Sequence, residues 1–298
     1  MMSLLIEALQ QALIFLPVTL GIYLTYRIFR VTDLTVGGSY ALGAAIFAKI
    51  ISLGYSEFWA TSLAVMAGLG SGFSVFALQK LARIDGLIAS ILMVFMLFSV
   101  NFAVMGQPNI SLLNASTLLS SLQNLGNTAL DLALLGFDAA LMIGLLALLK
   151  TTFGLRLRAY GSNPLLLSKL GFFGPGYLSF GLMLSNGLAA LCGVMNAEIN
   201  GYADIHMDDG IALTAIGAVV IGTHLITSLF SRLKRISLGL ELLGCLLGAE
   251  VYFFVLHLFL NFNINPIYLK LCLGLLLAAF LSTARYSLGR GAHRETLS

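Results

Sequence analysis

The chain has 298 residues, 59% of them from the hydrophobic set and only 10% charged, against about 25% charged in a typical soluble domain. That balance excludes an ordinary water-soluble core, and apolar runs with no period of two exclude a β-barrel. A formal net charge of +3 gives no support for nucleic acid as a partner.

Nine helical spans can be drawn, at roughly 8–26, 34–53, 58–79, 86–105, 131–149, 177–196, 211–229, 237–260 and 267–284, each near the length that crosses hydrocarbon. The fold class is therefore all-α and polytopic, with residues 1–298 read as one transmembrane domain. Residues 1–20 show no cationic leader and no small-residue cleavage site, so the first span is expected to be retained. On this threading Arg27, Arg30, Lys80, Arg83, the four cations of 150–176, Arg232, Lys234, Arg235, Arg285, Arg290 and Arg294 share one side. Taking that side as cytoplasmic puts the N-terminus outside and the C-terminus inside. Lys49 and Lys270 lie near the opposite ends of spans, where a long side chain can snorkel outward.

The second span opens with DLTVGGSYALG, residues 33–43, where Thr35, Gly37, Gly38, Ser39 and Gly43 interrupt an apolar pattern. Glycine weakens a helix and lets backbones approach. Two readings stand: a discontinuous helix beside a wet path, or close small-residue packing. Residues 106–130 form a long uncharged outer loop, read either as re-entrant or as a cover for the outer mouth. Its two Asn-x-Ser sequons, at Asn109 and Asn114, are expected from so Asn- and Ser-rich a loop.

Between Lys150 and Gly176 the chain carries Lys150, Arg156, Arg158 and Lys169 and no carboxylate, as a cytoplasmic loop should. Inside it Ser162 or Asn163 can cap a helix, Pro164 suits its first turn and Gly171 its left-handed stop, so 163–170 reads as a short helix. So short a helix is marginal alone. Its leucines predict a partner outside the membrane.

The sixth span places Ser185 and Asn186 mid-helix, as interhelical glue or as lining of a hydrated path. The seventh repeats the mixture of Thr214, Gly217 and Gly222, five spans after the first such segment. An odd period of five suggests an inverted repeat around a central path. Glu250 and His257, seven apart, share a helix face and read either as a structural pair or as a proton-coupling site. Cys192, Cys245 and Cys272 lie in apolar runs as buried small hydrophobes. No phosphate-binding Gly-x-x-x-x-Gly-Lys-Ser/Thr loop, catalytic triad or metal-ligand cluster occurs in the sequence, so neither an enzyme nor a cofactor is expected.

Three ordered motifs carry a resemblance. DLTVGGSYALGAA (33–45), LRLRAYGSNPLLLSKLG (155–171) and LSNGLAALCGVMNAEINGYADIHMDDG (184–210) resemble segments of the permease subunits of bacterial ATP-binding-cassette (ABC) importers. The branch is that of the branched-chain amino-acid and ribose permeases, and the match covers most of the chain. Ser162 stands where that family favours Asp, Leu166 and Ser168 where small alanines are common, and Glu198 where an amide is usual.

The resemblance implies a permease in a bacterial plasma membrane that imports a small solute, an amino acid or related compound, within a sub-branch of largely uncharacterised importers of which some are associated with aromatic amino acids. Its implied partners are a separate cytoplasmic ATPase, an extracytoplasmic substrate-binding protein, a second permease chain as a homodimer, and the lipid bilayer. Coupling to the ATPase falls on Gly161, Ser162, Asn163, Pro164, Leu167, Lys169, Leu170 and Gly171. The translocation path falls on Asp33, Thr35, Gly37, Gly38, Ser39, Ser185, Asn186 and Thr214. The competing function is a proton-coupled secondary transporter working through Glu250 and His257.

Overall fold

The computed structural model describes residues 2–113, 115–230 and 237–262, with single helical positions at 271, 274, 275 and 278. In chain order the elements are α1 (Met2–Ile22) continuing into a π-helical turn (Tyr23–Ile28), α2 (Thr35–Ser52), α3 (Glu57–Lys80), α4 (Gly86–Met105), β1 (Asn109–Ser111) and α5 (Leu118–Leu125). Then follow α6 (Asn127–Lys150), α7 (Thr152–Ser162), α8 (Pro164–Lys169), α9 (Gly174–Asn200), β2 (Tyr202–Asp204), α10 (Ile211–Leu229) and α11 (Leu238–Asn261). Eight helices among the described residues are long and apolar enough to cross a membrane, and they coincide with the first eight expected spans to within a few residues. The ninth, 267–284, lies outside the described residues apart from the four single positions.

Local chemistry sets the boundaries. Asp85 caps α4 by accepting from the Leu87 N–H, and Gly106 ends that helix in the left-handed conformation at φ 72°. Thr117 and Ser120 form a capping box at α5, satisfying N–H groups that the first turn leaves orphaned. Thr151 caps α7 through the Gly154 N–H at 3.1 Å. Lys49 donates to the Met105 carbonyl at the far end of α4 from Asp85 (3.4 Å).

The described residues divide into two compact units, one of residues 13–216 and one of residues 2–12 with those from 217 onward. In the larger unit α2 is buried along nearly its whole length, with α3, α4 and α9 packed around it. Backbone contact makes this possible: a Cβ at Gly43 would overlap the Ala190 carbonyl, one at Gly193 the Tyr40 carbonyl, and one at Gly72 the Leu182 carbonyl. Close approach of this kind supplies the van der Waals contact that holds helices together where lipid removes the hydrophobic drive. α4 and α6 leave most of their apolar length uncovered, as surfaces that meet hydrocarbon do.

In the smaller unit α10 and α11 pack through small residues, Gly222 against the Gly244 carbonyl and Gly248 against that of Ala218. Ala12, Ala218 and Ala249 form its small buried cluster. Here His257 Nδ1 lies 3.6 Å from a Glu7 carboxylate oxygen. The expected pairing of His257 with Glu250 is thus replaced by a contact across 250 positions of sequence, which helix periodicity cannot reveal.

Candidate functional site

Polar side chains in the larger unit form one continuous seam. Asp33 Oδ1 accepts the Thr35 N–H at 3.0 Å, which fixes the start of α2. Asp33 Oδ2 accepts from Asn186 Nδ2 at 2.8 Å. Asn186 Nδ2 also donates to the Leu182 carbonyl at 2.9 Å, while its Oδ1 accepts from Ser39 Oγ at 2.7 Å. The Ser39 and Ser71 hydroxyl oxygens lie 2.6 Å apart and Ser71 Oγ lies 2.7 Å from the Gly68 carbonyl; with Ser39 donating to Asn186, the single Ser71 proton serves one of these two contacts at a time. Thr35 Oγ1 donates to the Ser90 carbonyl at 3.3 Å, and Asn101 Nδ2 to that of Gly38 at 3.3 Å.

This seam ties α2 to α3, α4 and α9. Asp33, Thr35, Ser39 and Asn186 are all at most 1% exposed, so their bonds replace water that cannot reach them. Burial pushes the Asp33 carboxyl above its ordinary range, opposed in part by the hydrogen bonds from Asn186 and Thr35. The discontinuity expected in this span is absent, because α2 runs unbroken from Thr35. Gly43 belongs to close packing, whereas Gly37 and Gly38 lie at a surface of a different kind.

Those two glycines line a cavity of about 210 Å³ with Leu34, the α4 residues Ile91 and Phe95, and Asp208. A Cβ on Gly38 would meet Leu97 at 2.9 Å, and one on Gly37 would come within 3.3 Å of the Asp208 carbonyl. Asp208 is half-buried. Burial and, after it, the charge of Asp209 push its carboxyl up, while its own backbone and His206 pull it down.

On the outer loops β1 pairs antiparallel with β2, with Ile110 opposite Ala203. The 106–130 segment is therefore folded around a strand and α5. The α5 N-terminus is held by two carboxylates, Glu57 accepting from the Leu118 N–H at 2.8 Å and Glu198 from the Leu119 N–H at 3.2 Å. Negative charge at the positive end of a helix is the stabilising arrangement. Glu198 thus has a structural role that its sequence position did not suggest.

The 150–176 segment is more structured than a loop with one short helix. α7 occupies 152–162, and its Gly161 leaves no room for a Cβ against the Ile28 carbonyl at the end of the π-helical turn. Phe29 meets Tyr160 edge-on at 6.1 Å between ring centroids, and the Arg156 guanidinium sits 4.0 Å over the Phe172 ring, a cation–π contact. Pro164 opens α8 and Gly171 stops the turn at φ 80°, as expected. Ser162 does not cap α8; its hydroxyl turns back to the Ala159 carbonyl at 3.0 Å. Asn163 lies extended between the two helices. Leu167 is buried, whereas Leu165, Leu170 and Phe173 are 73%, 62% and 75% exposed; Lys169 is exposed.

Among the expected path residues, then, Asp33, Thr35, Ser39 and Asn186 meet in the buried seam. Gly37 and Gly38 face the cavity. Ser185 is buried, with no hydrogen-bond partner for its hydroxyl among the described residues, and Thr214 lies in the first turn of α10, its N–H bonded to the Gly210 carbonyl. Ser71 and Asp208 were not singled out from sequence. Ser71 sits in an unremarked Gly-Ser-Gly stretch, and Asp208 reads as one of several outer acids.

Eight helices among the described residues long and apolar enough to cross a membrane, with a buried polar seam tying α2 to α3, α4 and α9, define a multi-pass helical membrane protein. The chain belongs to the family described as "Branched-chain amino acid transport system / permease component", whose model matches residues 4–281. It is similar to "Uncharacterized protein RP368" of Rickettsia prowazekii (strain Madrid E), 45% identical over 95% of this chain and 99% of that one. It is 30% identical to the "Tyrosine transport system permease protein" of Clostridioides difficile (strain R20291), over 96% of this chain and 93% of that protein. The "Inner membrane ABC transporter permease protein YjfF" of Escherichia coli (strain K12) is 27% identical over 85% of this chain and 75% of its own length. Its role is that of a transport permease in an ABC importer, not that of a known enzyme.

Proposed function

We propose that this chain forms the membrane path of an importer for an aromatic amino acid, driven by a separate cytoplasmic ATPase and supplied by an external binding protein. Two copies flank the path as a homodimer in a bacterial plasma membrane. The N-terminus lies outside and the C-terminus inside, so that 150–176 faces the cytoplasm. The substrate class follows the printed name of the tyrosine permease relative.

The observation that carries the coupling part is α8. Leu167 is buried, while Leu165 of α8 and Leu170 and Phe173 just after it are large apolar side chains that are 62–75% exposed. Large exposed hydrophobes set on a pinned element are the pattern of a protein interface. The resemblance assigns coupling to Gly161–Asn163 as well; Gly161 contributes by letting α7 close on Ile28. A proton-coupled carrier has less support, because His257 is engaged by Glu7.

Replacing Leu165 and Leu170 together by Asp is expected to abolish co-purification with the cognate ATPase while membrane insertion and melting temperature stay at wild-type values. Leu167→Ala is expected to lower stability by about 2–4 kcal/mol, since it removes a buried side chain. Undiminished ATPase association in the double Asp variant refutes α8 as the docking element.

A further inference from the structure

The cavity beside α2 combines an apolar lining with a single carboxylate. Its walls are apolar, from Ile91 and Phe95 of α4 and Leu213 of α10, its floor is Gly37 and Gly38, and Asp208 is the one charged residue lining it. Phe95 and Leu213, both lining residues, are largely exposed, at 70% and 63%. At about 210 Å³ it falls below the roughly 300–1,000 Å³ of sites for drug-sized molecules. That is room for a solute of about amino-acid size.

The floor depends on glycine. A side chain at either position would project into the space between α2, Leu97 and the Asp208 backbone. Asp208 is half-buried against apolar side chains, an arrangement that costs free energy unless a cation compensates it. A larger cavity of about 380 Å³ beside α5 contains Glu198, but that carboxylate already holds the Leu119 N–H. The Asp208 carboxylate meets its own backbone N–H and the nearby His206, and among the described residues no hydrogen bond reaches it from a neighbouring helix.

We propose that this cavity is a substrate station, in which Asp208 receives the α-ammonium group of an aromatic amino acid and Phe95 packs on its ring above the Gly37–Gly38 floor. The proposal rests on the importer reading above and adds the place and the recognising groups. An ammonium–carboxylate contact fixes orientation, and the ring contact supplies area, as in most small-molecule sites.

The test uses the full chain reconstituted in proteoliposomes with its ATPase and binding protein, with ATP supplied on the ATPase side and labelled L-tyrosine on the other. Asp208→Asn is expected to lower the initial uptake rate about tenfold, the worth of one charge-assisted contact, with ATPase association unchanged. Asp208→Glu is expected to recover uptake to within about threefold of wild type, and Phe95→Ala to lower it about fivefold. Asp209→Asn is expected to behave as wild type. If the wild-type importer moves no tyrosine, the substrate reading fails and the station with it. If wild type moves tyrosine and Asp208→Asn does so equally well, the station alone is refuted, and the cavity is a lipid-facing recess. If Asp208→Asn and Asp208→Glu both lose ATPase association, Asp208 is structural and the station is likewise refuted.

Discussion

Asn186→Ala tests whether the polar seam is what locks α9 to α2. The substitution removes the donor to Asp33 Oδ2 (2.8 Å) and the acceptor of Ser39 Oγ (2.7 Å). Ser39 keeps Ser71 as a partner, so its loss is small. Asp33, 1% exposed, keeps only its local hydrogen bonds with Thr35. Leaving a buried acceptor unpaired costs about 1–3 kcal/mol, more for a charged group, so the total expected loss is roughly 3–4 kcal/mol. Reversible unfolding in mixed micelles measures it, with Ser71→Ala as the comparison at about 1 kcal/mol. A loss below about 0.5 kcal/mol for Asn186→Ala would mean that the seam does not hold the helices and that water or alternative partners reach Asp33.

Two further outcomes follow from the same packing. Gly43→Val places a side chain into the Ala190 carbonyl and is expected to prevent assembly of α2 with α9, read as loss of folded protein in detergent, while Gly136→Ala, with no heavy atom within 4 Å of the added Cβ, is expected to be neutral or slightly stabilising through helix propensity. Because burial raises the Asp33 carboxyl above its ordinary value of 3.8, the folded state binds the extra proton; Asp33's contribution is most favourable below that value and is lost as pH rises from there through the raised folded-state value. Asp33→Asn is therefore expected to flatten the decline of stability with rising pH in that window, measured as melting temperature against pH, and an unchanged slope would contradict the burial argument.

Sequence made the spans legible because 20-residue apolar runs have few alternatives, and it made α8 legible because Pro164 and Gly171 have strong positional chemistry. α7 was harder. It is too short and too polar to stand out by hydropathy, and the signal that could have found it is Thr151, a capping residue placed just before it. The π-helical turn at Tyr23–Ile28 has no sequence signature of its own; it is accompanied by tertiary contacts through Gly161 and Phe29. The glycines of α2 show why the site was only half readable. Gly43 and Gly38 look alike along the chain, yet one packs against a carbonyl of α9 and the other against Leu97 of α4 at the edge of a cavity, and only the neighbouring helix decides which. Asp138 was passed over inside an apolar run, although it is buried and neither carboxylate oxygen has a hydrogen-bond partner among the described residues. Ser39 and Asn186 were readable as polar residues in spans, but their meeting with Asp33 and Ser71 is a long-range fact of packing.

The central claim is that ATP hydrolysed by another polypeptide drives solute through this chain. Proteoliposomes containing the permease, its ATPase and its binding protein measure this directly as labelled L-tyrosine uptake with ATP alone, with a proton gradient alone, and with the permease as the lone protein. The account predicts uptake that requires ATP and all three components, is insensitive to the proton gradient, and survives Glu250→Gln. Uptake by the lone chain under a proton gradient, abolished by Glu250→Gln, would contradict it.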